Sequence, residues 1–167
     1  MRVLGIDTSL RSTGVGVVES VGSSLRAVDF RVLRTGSALR VSACLLAIDR
    51  GIREIIDSTR PDAAAIEGAF FCKNARTSMV LGEARGVAIA ACDASGIPVF
   101  EYAPRRVKQA VAGFGAASKE QIQAMVSRLL GLESPPPTDA ADALALAVCH
   151  INGLSTRAIY GEEDGRV

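Results

Sequence analysis

Four carboxylates stand where a folded chain could use them together. Asp7 closes the apolar run from Val3 to Ile6, and Glu67 closes a second run from Ala63 to Ile66. Asp139 and Asp142 lie three residues apart, just behind Pro135-Pro136-Pro137 and at the head of an alanine- and leucine-rich run reaching His150. The prolines end whatever precedes them, and the run that follows is rich in the strongest helix formers. The Asp139/Asp142 pair therefore sits in the first turn of a helix, on one face. Capping alone would account for it, because Asp is a good N-cap and acids suit the positive end of the helix dipole. The same helix is apolar nearly all round, however, so it packs on more than one side and holds its acids in place. Four carboxylates within a few ångströms cannot all stay ionised without a counter-charge. Two hard divalent cations would supply it, taking oxygen ligands at ~2.0–2.1 Å in the case of Mg²⁺. Such a pair, ~3.5–4 Å apart, activates a water and stabilises the leaving oxygen of a phosphodiester. That chemistry needs no histidine. His150 lies eight residues past Asp142, roughly 12 Å along a helix, and is not expected to be a ligand.

Convergence of the four depends on the elements that carry them. Met1 to Asp7 reads as a buried strand, Thr8 to Arg11 as a turn, and Ser12 to Glu19 as the hairpin partner; Leu25 to Arg34 gives a third antiparallel strand. Leu39 to Thr59 has the stripe of an amphipathic helix, and Ala63 to Glu67 then suits a central strand parallel to the first. Taken singly, an acid at a strand end is also an ordinary turn or cap residue. Parallel neighbours, though, place their C-terminal ends on one sheet edge, where α/β folds build sites. Gly68 to Asn74 is a loop, and Arg76 to Ser95 is a helix with too many apolar faces for one sheet, which suggests a homodimer partner. Ile97 to Tyr102 is a short strand near an edge, given Pro98. Pro104 to Ala112 and Ser118 to Leu130 are helices, the second with Ser118 as N-cap. The sequence thus predicts an α/β fold: a mixed five-stranded sheet, three antiparallel strands plus parallel strands, flanked by helices. The domain covers 1–153, with 154–167 a flexible tail.

Composition agrees with a single globular domain of 167 residues, 49% hydrophobic and 22% charged. Met1 leads directly into the first strand-like run, and no apolar stretch approaches the ~20 residues that span a bilayer. Cys44, Cys72, Cys92 and Cys149 are far apart, which argues against a zinc site and fits reduced thiols, so a cytoplasmic protein is expected. A net charge of +1 does not by itself announce a nucleic-acid partner. Arg105, Arg106, Lys108, Lys119 and Arg128 against Glu120 nevertheless form a local basic surface or an ordinary solvated face.

Gly5-Ile6-Asp7, Ala65-Ile66-Glu67, Phe70 with Lys73-Asn74, Ala84-Arg85-Gly86-Val87-Ala88, Val99-Phe100-Glu101-Tyr102, Val107-Lys108-Gln109 and Asp139-Ala140-Ala141-Asp142-Ala143-Leu144-Ala145 follow one another in an order that resembles the RuvC family of Holliday-junction resolvases. The resemblance runs from about Arg2 to His150. It implies an RNase H-like fold, a homodimer, and Mg²⁺-dependent paired nicks in a four-way DNA junction, with two ions per site and Mn²⁺ as a substitute. It places Asp7, Glu67, Asp139 and Asp142 on the metal-binding acids, Lys108 and Lys119 near the scissile phosphate, and Phe70 against bases at the junction centre. It also implies the RuvA and RuvB branch-migration proteins as partners.

Some residues depart from the pattern or have a plainer reading. Thr8-Ser9 stands where the family usually has Pro-Gly, and the acidic Glu162-Glu163-Asp164 is assigned no DNA contact. Phe70 and Phe71 anchor their loop or stack on DNA; Lys73, Arg76 and Arg85 are phosphate contacts or plain surface charges. Three rival functions stand beside the resolvase. The first-turn residues Thr8 and Ser9 resemble a phosphate loop of actin-like ATPase-fold proteins, but no second loop and no second domain accompany them. A junction-binding module without activity would face DNA with four uncompensated acids. A nuclease for RNA–DNA hybrids would share the acids but not the motif order.

Overall fold

The computed structural model describes residues 1–68, 74–160 and 165–167, the side chains of 155–160 excepted. Five strands, β1 (Arg2–Asp7), β2 (Ser12–Val21), β3 (Ser24–Arg34), β4 (Ala63–Glu67) and β5 (Val99–Tyr102), form one sheet in the order β3-β2-β1-β4-β5. β2 pairs antiparallel with both β1 and β3, while β4 runs parallel to both β1 and β5. This is the mixed sheet expected of an RNase H-like fold. Among the described residues five helices flank it: α1 (Val41–Thr59), α2 (Ala75–Asp93), α3 (Pro104–Ala112), α4 (Lys119–Leu129) and α5 (Thr138–Tyr160).

Period-2 alternation divides the core. Leu4, Ile6, Ala64 and Ile66 face α1 and α2, packing on Ile48, Ile52, Ile55, Ala84, Ala88 and Cys92. Val3 and Ala65 face the other way, against α5 and the side chains of α3 and α4. Asp7 and Glu67 share the parity of Val3 and Ala65, so both acids point to the α5 side. The strand pattern that buries the core also aims the carboxylates.

α5 lies unusually close to the sheet. A Cβ built on Gly5 would fall 1.7 Å from the Ala143 carbonyl oxygen, and one on Gly14 1.9 Å from that of Asp139. Gly5 pairs with Gly16 across the β1/β2 ladder, and Gly14 pairs with Asp7. The strand glycines thus form a groove that takes the helix backbone itself.

α5 runs on to Tyr160, so position 153 falls inside a helix. Beyond it, Gly165 O accepts from Glu101 N (2.8 Å), Val167 N donates to Val99 O (3.0 Å), and Arg166 bridges Phe100 antiparallel. The end of the chain covers the free side of β5, which would otherwise offer open backbone groups. His150 is buried, its Nδ1 2.8 Å from the Tyr102 hydroxyl and its ring against Phe100. It is a core residue. Among the described residues no helix is long and apolar enough to cross a membrane.

Candidate active site

Asp7 and Glu67 end neighbouring parallel strands, whose last paired residues are Ile6 and Ile66. The first turn of α5, seated over Gly14, brings Asp139 and Asp142 to the same edge. Opposite them stands α4. Its N-terminus is fixed by a capping box, Ser118 Oγ accepting from Gln121 N (3.3 Å) and Gln121 Oε1 accepting from Ser118 N (2.8 Å). Lys119, the first residue of that helix, reaches across so that Nζ lies 3.3 Å from Asp142 Oδ2. Asp7, Glu67, Asp142, Lys108 and Lys119 line one cleft of about 290 Å³, walled by Val107, Ile122 and Leu146.

The turn between β1 and β2 completes the edge. Ser9 N donates to Thr13 Oγ1 (3.2 Å), and the same hydroxyl donates to Ser9 O (2.5 Å) from a fully buried side chain. Ser9 is thus held as a turn residue just behind Asp7. Ser12 Oγ donates to Asp139 Oδ2, which orients that carboxylate. Nothing in the local sequence around Ser12 announces this contact, because its partner is 127 residues away.

The electrostatics match a cation-binding centre. Burial, and then the charges of Asp142, Glu67 and Asp139, push the Asp7 carboxyl up to about 7, with Lys119 opposing the rise. Burial and Asp142 raise Glu67 as well, against Lys119 and Lys108. Asp142 in turn raises Lys119, which stays fully charged. Among the described residues no three His, Cys, Asp or Glu side chains already converge closely enough to hold an ion. Asp142 instead leans on Lys119 and Asp139 on Ser12, the arrangement expected of crowded carboxylates with a protein cation as counter-charge. The donor set is all hard oxygen, and four acids there outnumber the two lysines, so it fits a hard divalent cation and not a soft one.

A family model described as crossover junction endodeoxyribonuclease RuvC matches residues 3–150. The chain belongs to the RuvC family. A Chloroflexus aggregans protein named crossover junction endodeoxyribonuclease RuvC is 49% identical over 162 residues, covering 96% of this chain and 99% of the relative. Its Caldicellulosiruptor saccharolyticus counterpart is 46% identical over 166 residues, covering 98% and 99%. Among solved structures, Thermus thermophilus RuvC in complex with a Holliday junction substrate superposes with a TM-score of 0.91 at 32% identity, over 100% of this chain and 99% of that one. The yeast mitochondrial Holliday junction resolvase shares the fold, with a TM-score of 0.66 at 10% identity over 95% and 82% of the two chains.

The other residues singled out by sequence divide three ways. Lys108 and Lys119 line the cleft with Asp7, Glu67 and Asp142, while Asp139 stands beside it, hydrogen-bonded to Ser12. Phe70 and Lys73, with Phe71 beside them, lie outside the described residues. Arg76 is exposed in the first turn of α2, its amide held by the Asn74 cap (3.0 Å). Arg85, read from sequence as a phosphate contact or a surface charge, has its guanidinium mostly buried between Glu101 and the backbone of Glu67.

Proposed function

We propose that this chain resolves four-way (Holliday) DNA junctions in recombination and repair by symmetric paired nicks. The observation that carries the reading is the meeting of Asp7, Glu67 and Asp142 with Lys108 and Lys119 in one cleft, in a chain of the RuvC family. Asp7, Glu67, Asp139 and Asp142 would hold two Mg²⁺ ions, with Mn²⁺ able to substitute. Bound there, the ions supply an activated water and charge stabilisation at the leaving oxygen.

The protein's own groups do the rest. Lys108 and Lys119 bring positive charge to the phosphate at the open side of the cleft. Ser12 keeps Asp139 turned to the edge. Val107, Ile122 and Leu146 wall the cleft with apolar surface, which strengthens every charge interaction inside it. Asp7 holds a proton up to about pH 7 in the free protein and must release it before it can ligate. Phe70, Lys73 and Arg76 are proposed as DNA contacts at the junction centre and its arms.

A homodimer fits the substrate, since a two-fold junction needs two equivalent sites and an isologous pair provides them. α2 is the proposed interface: its Ala84, Ala88 and Cys92 are buried on the protein's own core while Met79 stays 67% exposed. The RuvA and RuvB proteins and a cytoplasmic setting follow from the family reading.

Incubating purified protein with a labelled four-way junction, a linear duplex and an RNA–DNA hybrid tests the proposal. Paired nicks in the junction alone, with Mg²⁺ and not with EDTA, are the expected result. Uncut but bound junction in both Mg²⁺ and Mn²⁺ would leave only a binding module.

Lys119 gives a separate expectation. Lys119→Ala should lower cleavage roughly 10²-fold, the scale of removing one preorganised donor from developing charge, with little change in junction affinity. Because Lys119 holds the Asp7 carboxyl down, its loss should also move the rising limb of the pH–rate profile to higher pH. A pH–rate profile left where it was would show that Lys119 does not act on Asp7.

A further inference from the structure

We infer that Arg85 is a positioning residue for Glu67; the inference rests on the proposed role of Glu67 as a metal-holding acid. Strand pairing runs out at this point: the β1/β4 ladder ends at Ile66 and the β4/β5 ladder at Glu67. The peptide joining Glu67 to Gly68 is therefore fixed by the last residue of β5 on one side and by a side chain of α2 on the other. Its N–H, on Gly68, donates to Tyr102 O at 2.9 Å. Its carbonyl oxygen, on Glu67, accepts from Arg85 Nε at 3.4 Å.

Arg85 is itself anchored. Its Nη2 is ion-paired with Glu101 Oε2, and the Arg85 side chain is only 18% exposed. Glu101 stands beside Ile66 on β5, and a Cβ on Gly68 would lie 3.0 Å from Glu101 Oε1. The carboxylate thus lies over the glycine that follows Glu67. One guanidinium spans α2, β4 and β5, a task for a planar fork with several donors and not for an ammonium. Released from it, the backbone of Glu67 is held on one side only, and its carboxylate loses a fixed aim into the cleft. The same link makes any shift of α2 felt at Glu67.

Mn²⁺ binding to the DNA-free, full-length protein, followed by the electron paramagnetic resonance of the free ion, tests this without relying on cleavage. Glu67→Gln serves as the benchmark, beside Arg85→Met, Arg85→Lys and Glu101→Gln. Arg85→Met should weaken Mn²⁺ binding on the order of 10–100-fold, the scale for groups that orient metal ligands. Arg85→Lys should recover part of it, and adding Glu101→Gln to Arg85→Met should cost nothing more, since the pair acts as a unit. Junction affinity in EDTA, melting temperature and sedimentation should stay at parental values. Should Arg85→Met fail to fold, Arg85→Lys and Glu101→Gln carry the test. Parental Mn²⁺ binding in the Arg85 variants, with Glu67→Gln weakened, would overturn the positioning role alone. Parental binding in Glu67→Gln would overturn the assignment of Glu67 itself, and this inference with it. Losses that only track melting temperature would mark Arg85 as a structural strut.

Discussion

Asp7→Asn is expected to abolish junction cleavage, by roughly 10³-fold or more, while junction binding in EDTA is kept or tightened. Asp7 is the acid most enclosed by the others: Asp142, Glu67 and Asp139 all act on it. Removing its charge takes away a central cation ligand, and the several kcal/mol that a bound metal contributes correspond to this loss of rate. The same change removes a negative charge facing DNA phosphates, which favours binding. Stability carries a second signature in metal-free buffer. The Asp7 carboxyl titrates at about 7 when folded, against an ordinary 3.8. Between those values the folded chain keeps a proton that the unfolded chain has lost, so stability falls as pH rises from about 4 to about 7. Asparagine has nothing to titrate. Asp7→Asn should therefore flatten that fall and be the more stable protein above pH 7, by roughly 1–4 kcal/mol. Melting curves across this pH range, with a gel-shift and a cleavage assay on the same preparation, read all three effects. A variant that still cuts would remove Asp7 from the site.

Gly5→Ala and Gly14→Ala should be as damaging, for a different reason. A Cβ at either position meets main-chain oxygen of α5, at 1.7 and 1.9 Å. A backbone atom has no rotamer to escape into, so the helix must lift from the sheet. Overpacking of flexible side chains costs about 1–3 kcal/mol, and a clash with backbone should exceed that, roughly 3 kcal/mol or more. Lifting α5 also carries Asp139 and Asp142 away from Asp7, so cleavage should fall further than stability does. Gly16→Ala is the comparison: its nearest contacts are the movable side chain of Leu144, at 2.8 Å, and it should be the mildest of the three. Thermal melts of the series give the ranking, and equal tolerance of all three would mean that α5 does not depend on the glycine groove.

The sequence by itself determined the parts of this protein that follow from local rules. Apolar runs placed the strands and set Asp7 and Glu67 at the ends of two parallel neighbours. Prolines and the alanine-rich run placed Asp139 and Asp142 in a first helical turn, and the order of short motifs carried the family. These signals are written within a few residues, because strand parity, helix starts and turn chemistry are properties of neighbouring backbone. What joins residues far apart in the chain was settled only by tertiary structure. Arg85 reads as a phosphate contact or a surface charge, and its place on Glu101 emerges only when α2 packs beside β5. Ser12 has no visible role until α5 brings Asp139 to it across 127 residues. The end of the chain reads as a frayed tail until Gly165 and Val167 pair with β5. The glycines of β1 and β2 gain their role only when the α5 backbone occupies the space they leave. Each of these contacts depends on how elements pack, and that is fixed by the shape of the whole core.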